Sequence, residues 1–224
     1  MSTKNVLPPI FSHFRGGNRK FVIDLIATSK KHSVELFFSK SRWVKISDKI
    51  RSNGYFSDHD KPRLAIACGQ PLDKWFALLV HESSHLDQWL EHSEYWQYIS
   101  SKVDNNSYLI DEWLAGAHQN RTKKVFQEID KLILLEADCE IRSIQKIKKY
   151  GLAIDSDLYC QRANAYIYFY HHLKTTGQWY RINFEPYSLE QIYSQMPKKM
   201  FKNARSYLRY PKKIERIFNL AYKK

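Results

Sequence analysis

The residues best suited to chemistry form an HExxH pattern, in which two histidines stand four positions apart and a glutamate follows the first. They are His81, Glu82 and His85. Residues four apart lie about 40° from one another on one face of an α-helix, so both imidazoles can bind one metal ion. Glu82 lies to the side of that pair, where it can take a proton from a metal-activated water without being a ligand. The spacing therefore predicts a zinc site with Glu82 as general base.

A third metal ligand is predicted on a long apolar helix further along the chain. Glu136 lies in the middle of its apolar face, and Glu140 lies one turn further on, about 40° away. Burying an unpaired carboxylate costs several kcal/mol, so each is expected to face a cation, a histidine or an arginine. We assign Glu136 as the carboxylate ligand. Glu140 is expected to accept a hydrogen bond from the ring N–H of His81 or His85, which would fix the tautomer.

Other interpretations of these residues stay open on the sequence alone. The HExxH pattern could be a chance helix face with surface histidines, and Glu136 could form a structural ion pair with Arg142 or Lys131. A structural role is the leading interpretation for Glu140, and Cys139 is interpreted as core packing. Rival metal ligands are His92, His118 and Asp138.

The elements that must position the motif can be predicted from hydrophobic periodicity and from Gly and Pro. Three short strands are predicted at Val34–Phe38, Trp43–Ile46 and Arg63–Ala67. A helix is then expected from Pro71, a favourable first helical residue, to about Leu90. The HExxH motif lies inside this helix, which therefore follows a strand.

The rest of the chain is predicted to be mainly helical. The expected helices span about 107–120, 122–150 and 156–175, with a fifth near Ser188 and basic helices toward the C-terminus. Gly151 is expected to end the long helix in the left-handed conformation, and Ser156 to cap the next one. Ser188 and Gln191 form a capping-box pattern. The predicted fold class is α+β, mostly α-helical with a small N-terminal β-sheet.

The length and cysteine content bound the class of protein. A chain of 224 residues favours one domain. We divide it into an N-terminal sheet region at 1–70, a helical metal-site core at 71–176 and a basic helical extension at 177–224. Three cysteines without a CxxC pair argue against a disulfide framework and a Cys-rich zinc knuckle. With neither a leader peptide nor a membrane-spanning stretch in the sequence, a cytoplasmic protein without membrane association is expected.

The net charge of +13 is unevenly distributed. Residues 1–54 carry 11 basic and 3 acidic side chains, residues 188–224 carry 10 and 2, and the middle of the chain carries 15 and 18. Basic termini of this kind suggest nucleic acid or another polyanion as a partner, with a solvated amphipathic face as the simpler interpretation. Chemistry and electrostatic attraction are thus expected in different parts of the chain.

An HExxH motif followed by a glutamate on a later helix resembles the gluzincin metallopeptidases, the thermolysin-like zincins. The resemblance covers about residues 63–150. The residues that carry it are His81, Glu82, His85 and Glu136. Glu140 stands where an aspartate is usual, and Asp87 stands where an apolar residue is commoner. The resemblance implies a zincin-like fold in which a strand precedes the HExxH helix.

The same resemblance implies a zinc-dependent peptidase that hydrolyses a peptide or protein substrate through a zinc-bound water, with Glu82 as general base. Zincins usually add an oxyanion-stabilising side chain from a later segment. The helix expected at 156–175 offers Tyr166, Tyr170, His171 and His172, of which Tyr170 is our candidate. Two alternatives are a nucleic-acid-associated, SprT-like zincin recruited by the basic termini, and a non-enzymatic interaction protein stabilised by zinc.

Overall fold

The computed structural model describes residues 9–46, 51–104, 109–114, 123–181 and 184–222. Helices dominate these ranges, and the strands form one sheet of three and one of two. The predicted α+β class, mostly helical with a small N-terminal sheet, is therefore confirmed. The chain divides into two compact units, residues 1–83 with 145–154 and residues 84–144 with 155–224. The three regions proposed from the sequence stay predictions.

The first unit contains the sheets. Its elements are a 3₁₀ turn (Pro9–Phe11), α1 (Gly16–Lys31), β1 (Glu35–Ser39), β2 (Val44–Lys45), β3 (Arg51–Ser52), β4 (Gly54–Ser57), β5 (Arg63–Ala67) and the start of α2 (Leu72–Leu90). The larger sheet has the order β1-β5-β4, in which β1 is parallel and β4 antiparallel to β5, and β2 pairs with β3. The three predicted strands are β1, β2 and β5, whereas β3 and β4 are too short or too polar to have been predicted.

The central strand β5 leads directly into the helix that carries HExxH. Its residues 64–67 are fully buried, which explains their unbroken apolar sequence. Between strand and helix, a Cβ atom on Gly69 would lie 2.4 Å from the carbonyl oxygen of Lys40. Only glycine permits this approach of two backbone segments. The helix begins at Leu72, one residue after the predicted start at Pro71.

Helix α1 is absent from the sequence prediction. It buries one face through Phe21, Val22, Leu25 and Ser29, but Arg15 at its N-cap makes no side-chain cap hydrogen bond. Its first turn contains two glycines, which disfavour helix locally. A Cβ atom on Gly17 would overlap the backbone of Tyr150, so this turn is selected by packing. Tertiary contact rather than local propensity therefore accounts for the helix.

The second unit contains helices and connecting loops, and its described residues include no strand. It comprises the end of α2, then α3 (Glu94–Asp104), α4 (Leu109–Leu114), most of α5 (Lys123–Tyr150), α6 (Ser156–Thr176), α7 (Glu190–Tyr193), a 3₁₀ helix (Ala204–Leu208) and α8 (Lys212–Ala221). Helix α3 is not predicted by the sequence pattern. Of the helix expected at 107–120, only α4 is described, and His118 lies outside the described residues.

The helix ends show which local signals are reliable. Gly151 follows α5 with φ of 59°, so the predicted left-handed stop is confirmed. The cap of α6 is Asp155 rather than Ser156, because the Asp155 carboxylate accepts from the backbone N–H groups of Asp157 and Leu158. The capping box at Ser188 is also wrong, since α7 follows Leu189 and has no side-chain cap. At the start of α6, the neighbouring residues Asp155 and Ser156 are both good capping residues, and the sequence does not decide between them.

Helix α6 forms the centre of the second unit's core. Its residues from Ala163 to Leu173 are mostly buried, and Phe169 and Tyr168 contact the rings of Phe218 and Tyr207. The interpretation of this aromatic segment as a helix packed on all sides is confirmed. Across the described ranges, no helix combines the length and the apolar character needed to cross a membrane.

Candidate metal centre

Helices α2 and α5 are joined by polar bonds in the second unit. The hydroxyls of Ser84 and Ser143 are 2.9 Å apart, and both residues are buried. Four residues along α2, the Gln88 side-chain amide donates to the carbonyl of Leu135 at 3.0 Å. These bonds bring the C-terminal half of α2 against residues 135–143 of α5. The second histidine of HExxH and the predicted carboxylate ligand belong to these two segments.

The ring of His85 is oriented by Gln88. Because the Gln88 amide nitrogen donates to Leu135 and to the Asp138 carboxylate, its oxygen is the atom that faces Nδ1 of His85, at 2.8 Å. An amide oxygen only accepts, so Nδ1 carries the proton. The lone pair of the neutral ring is therefore on Nε2. Histidines that bind metals are usually held in this manner, with the other ring nitrogen donating to a fixed acceptor.

The Nε2 edge of this ring is directed toward the predicted carboxylate ligand. His85 Nε2 and Glu136 Oε2 are 3.7 Å apart, and the two side chains are almost completely buried. This distance exceeds that of a normal hydrogen bond. Two ligands of one tetrahedral zinc ion, bound at ordinary Zn–N and Zn–O lengths, lie about 3.4 Å apart. The pair therefore has the chemistry and nearly the spacing of two ligands of the same cation.

A third ligand type lies near His85. Ligand atoms of His85 and Cys139, both in the second unit, lie within 4.8 Å of each other. Cys139 is fully buried, so its interpretation as core packing accounts for its burial but not for its neighbours. Its sequence signal was its spacing of three residues from Glu136, which places both on one side of α5. Imidazole, carboxylate and thiolate are all zinc ligands, so these side chains fit the metal.

Glu82, the predicted general base, is a buried residue of α2. It follows His81 within the continuous helix α2 and is only 6% exposed. His81 is the more exposed of the two. A carboxylate directly after the first of two histidines is what the HExxH motif contains, and its role as a general base stays a prediction.

Glu140 contacts a residue that the sequence did not indicate. The Tyr159 hydroxyl donates to its carboxylate at 2.5 Å, and burial together with the Glu140 charge raises the pKa of Tyr159 well above its usual value. At Nδ1 of His85 the acceptor is Gln88 rather than Glu140. The assignment of Glu140 as an acceptor for an imidazole therefore stays a prediction for His81 only.

Two tyrosines of α6 lie in the electrostatic field of Glu136. The hydroxyls of Tyr166 and Tyr170 are 2.9 Å apart. Burial raises the pKa of Tyr170 well above its usual value, and the charge of Glu136 raises it further. Burial is also the main cause of the raised pKa of Tyr166. Both hydroxyls stay protonated at neutral pH, as a hydrogen-bond donor to an oxyanion must.

The neighbouring histidines of α6 belong to the core instead. A ring nitrogen of His171 hydrogen-bonds the carbonyl of Tyr207 at 2.7 Å, and the ring stacks on Tyr210. His172 stacks on Phe218 and Tyr222. Burial lowers the pKa of both histidines, which favours neutral packed rings.

The rival ligands and ion pairs considered from the sequence have other partners. Asp138 accepts from Gln88 and from Arg142, and Arg142 also binds Glu91 at 2.6 Å. The ammonium group of Lys131 lies over the ring of Tyr98. The rival ligand His92 is an exposed residue that follows α2 in the left-handed conformation. Arg142 thus binds the carboxylates of Asp138 and Glu91, whereas the pairing considered from the sequence was with Glu136.

The basic C-terminal segment is exposed. The side chains concerned are Lys198, Lys199, Lys202, Arg205, Arg209, Lys212, Lys213 and Arg216. Two of them form surface ion pairs, Lys198 with Asp157 and Arg205 with Glu94. Exposure of this kind suits a solvated face as well as a polyanion-binding one, so the nucleic-acid hypothesis stays a prediction.

No protein-family model, curated protein or solved structure matches the chain. The gluzincin resemblance therefore rests on the motif residues alone and stays a prediction. The geometry of these residues is the basis for assigning a function.

Proposed function

We propose that the protein is a zinc-dependent metallopeptidase of gluzincin type that acts in the cytoplasm on a peptide or protein substrate. The observation that carries this proposal is the pair His85 and Glu136, whose ligand atoms are 3.7 Å apart while Gln88 fixes the other nitrogen of the imidazole. Such an arrangement suits a cation bound between a neutral imidazole and a carboxylate. The cytoplasmic assignment is supported by the three cysteines, none of which forms a disulfide.

The metal would be held by His81, His85 and Glu136. Zinc in such a site polarises a carbonyl group and lowers the pKa of a water to about 7. Gln88 keeps the lone pair of His85 on Nε2, the atom that faces Glu136. The bonds from Gln88 to Leu135 and Asp138 prevent its amide from turning over.

Glu82 would act as general base and then as general acid. Its carboxylate accepts the proton of the attacking water and donates it to the amine that leaves when the peptide bond breaks. The charge of Glu82 is thus restored at the end of the cycle.

Tyr170 would stabilise the negative charge that develops on the carbonyl oxygen. Its hydroxyl is protonated at neutral pH and is hydrogen-bonded to Tyr166, which limits its rotation. A donor held in advance stabilises a transition state without reorganising during the reaction.

Metal content is the direct test of this proposal. Wild type, His81→Ala and Glu82→Gln are purified after zinc-replete expression, and the zinc bound to each is measured by elemental analysis. We expect about one zinc per chain in wild type and in Glu82→Gln, because a single HExxH site holds one ion and Glu82 is not a ligand. His81→Ala should contain almost none. Zinc-free wild type would contradict the proposal, as would equal zinc in all three proteins.

The Gln88 side chain provides a further prediction. Gln88→Met keeps the volume but removes the acceptor for His85 Nδ1–H, and loss of such a partner typically weakens metal affinity by about 10- to 100-fold. The measurement is competitive zinc titration against a chromophoric chelator. Gln97→Met, at an exposed position on α3, serves as the matched control. Equal affinities for the two variants would show that Gln88 does not orient a metal ligand.

A further inference from the structure

We propose that Cys139 is a fourth protein ligand, so that the resting protein holds its metal through His81, His85, Glu136 and Cys139. This inference rests on the proposed function, because it requires a metal at the HExxH motif. It adds a ligand that the HExxH motif does not include, and it implies that the metal site is closed in the resting protein.

The position of Cys139 in the second unit is the first reason. The bonds of Ser84 with Ser143 and of Gln88 with Leu135 lie before and after Cys139 along the contact between α2 and α5. Cys139 is therefore placed where the two helices are held together, and it is fully buried. The turn of α2 that contains His85 lies at the same level of this contact.

The spacing of donor atoms is the second reason. The thiol sulfur is within 4.8 Å of a ligand nitrogen of His85, which lies in the same unit. Sulfur and nitrogen ligands of one tetrahedral zinc lie about 3.6 Å apart, so a contraction of about 1 Å would complete the set. Glu136 and Cys139, three residues apart on α5, are neighbours on the same side of a helix.

The ligand count determines the consequence. Zinc sites with four protein ligands are closed and structural, whereas catalytic sites keep one position open for water or substrate. Binding of the thiol releases its proton to solvent and occupies the position that water needs. The resting protein is therefore latent, and loss of the Cys139–metal bond opens the site.

Cobalt(II) substitution tests the sulfur–metal bond independently of activity. The full chain with Cys68→Ser and Cys160→Ser retains Cys139 as its only thiol, since the sequence has three cysteines. After exchange of zinc for cobalt, we expect the near-ultraviolet sulfur-to-cobalt charge-transfer absorption in this protein and in wild type. It should be absent from Cys139→Ala, whose folding is checked by circular dichroism and whose cobalt content is measured in the same sample.

Each outcome has a distinct meaning. Bound cobalt without the charge-transfer band in the Cys139-only protein would overturn the role of Cys139 and leave the proposed function intact. Failure of wild type to bind cobalt or zinc would overturn both. Zinc-loaded Cys139→Ala should also hydrolyse fluorescently labelled casein several-fold faster than wild type. An unchanged or lower rate in a folded, zinc-loaded variant would overturn the latency.

Discussion

Glu82→Gln is expected to reduce peptide hydrolysis by about 10²- to 10⁴-fold, the usual contribution of a positioned general base. The amide has nearly the same shape as the carboxylate but cannot accept the proton of the attacking water. Because Glu82 is not one of the proposed ligands, the zinc content should stay that of wild type. The loss should therefore appear in the catalytic rate and not in the fraction of protein that holds metal.

The rate is measured on fluorescently labelled casein, with zinc determined in the same samples. Both the wild-type and the Cys139→Ala backgrounds are needed, because a latent site would hide the effect in the first. Asp87→Asn removes a carboxylate from the same helix five residues later and is the matched control. Equal loss in the two variants, or full activity of Glu82→Gln, would remove Glu82 from the role of general base.

Glu136→Ala should weaken zinc binding by more than about 100-fold. Losing a residue that only hydrogen-bonds a metal ligand typically costs about 10- to 100-fold in affinity, and losing a ligand itself should cost more. The substitution removes a ligand whose oxygen is 3.7 Å from His85 Nε2. Glu128→Ala is the matched control, since Glu128 is a buried glutamate on the same helix about two turns earlier. Competitive zinc titration measures both affinities.

The control has an effect of its own. Glu128 accepts a hydrogen bond from the backbone N–H of Ile110, and removing the acceptor of a buried N–H costs about 1–3 kcal/mol of folding free energy. Glu128→Ala should therefore unfold at a lower urea concentration but bind zinc as wild type does. Similar zinc affinities for the two variants would exclude Glu136 from the metal site.

Local sequence determined the elements that carry the motif. Helix α2 follows from Pro71 and an apolar periodicity that continues to Leu90, and β5 follows from a short apolar run that ends before Gly69. The spacing of His81 and His85 on one face is a property of any α-helix. The stop of α5 at Gly151 is equally local, because glycine adopts positive φ without steric cost.

Local signals failed where packing selects the conformation. Helix α1 begins with two glycines that disfavour a helix locally, and the close approach of Gly17 to the backbone of Tyr150 leaves no room for a Cβ atom there. Helix α3 was also missed. In the structure its Trp96 packs near His85, with 5.6 Å between the ring centroids. The cap of α6 was misplaced by one residue because Asp155 and Ser156 have similar capping ability.

The sequence by itself determined that two histidines and a glutamate share a helix and that a second carboxylate lies on an apolar face. Only the tertiary structure brought Glu136 close to His85, placed the Gln88 side chain where it fixes the tautomer of that histidine, and placed Cys139 near His85. The physical reason is that helical periodicity fixes the angle of each side chain about its own axis. The rotation and axial position of one helix against another are instead fixed by contacts such as those of Ser84 with Ser143 and Gln88 with Leu135, residues that are 59 and 47 positions apart.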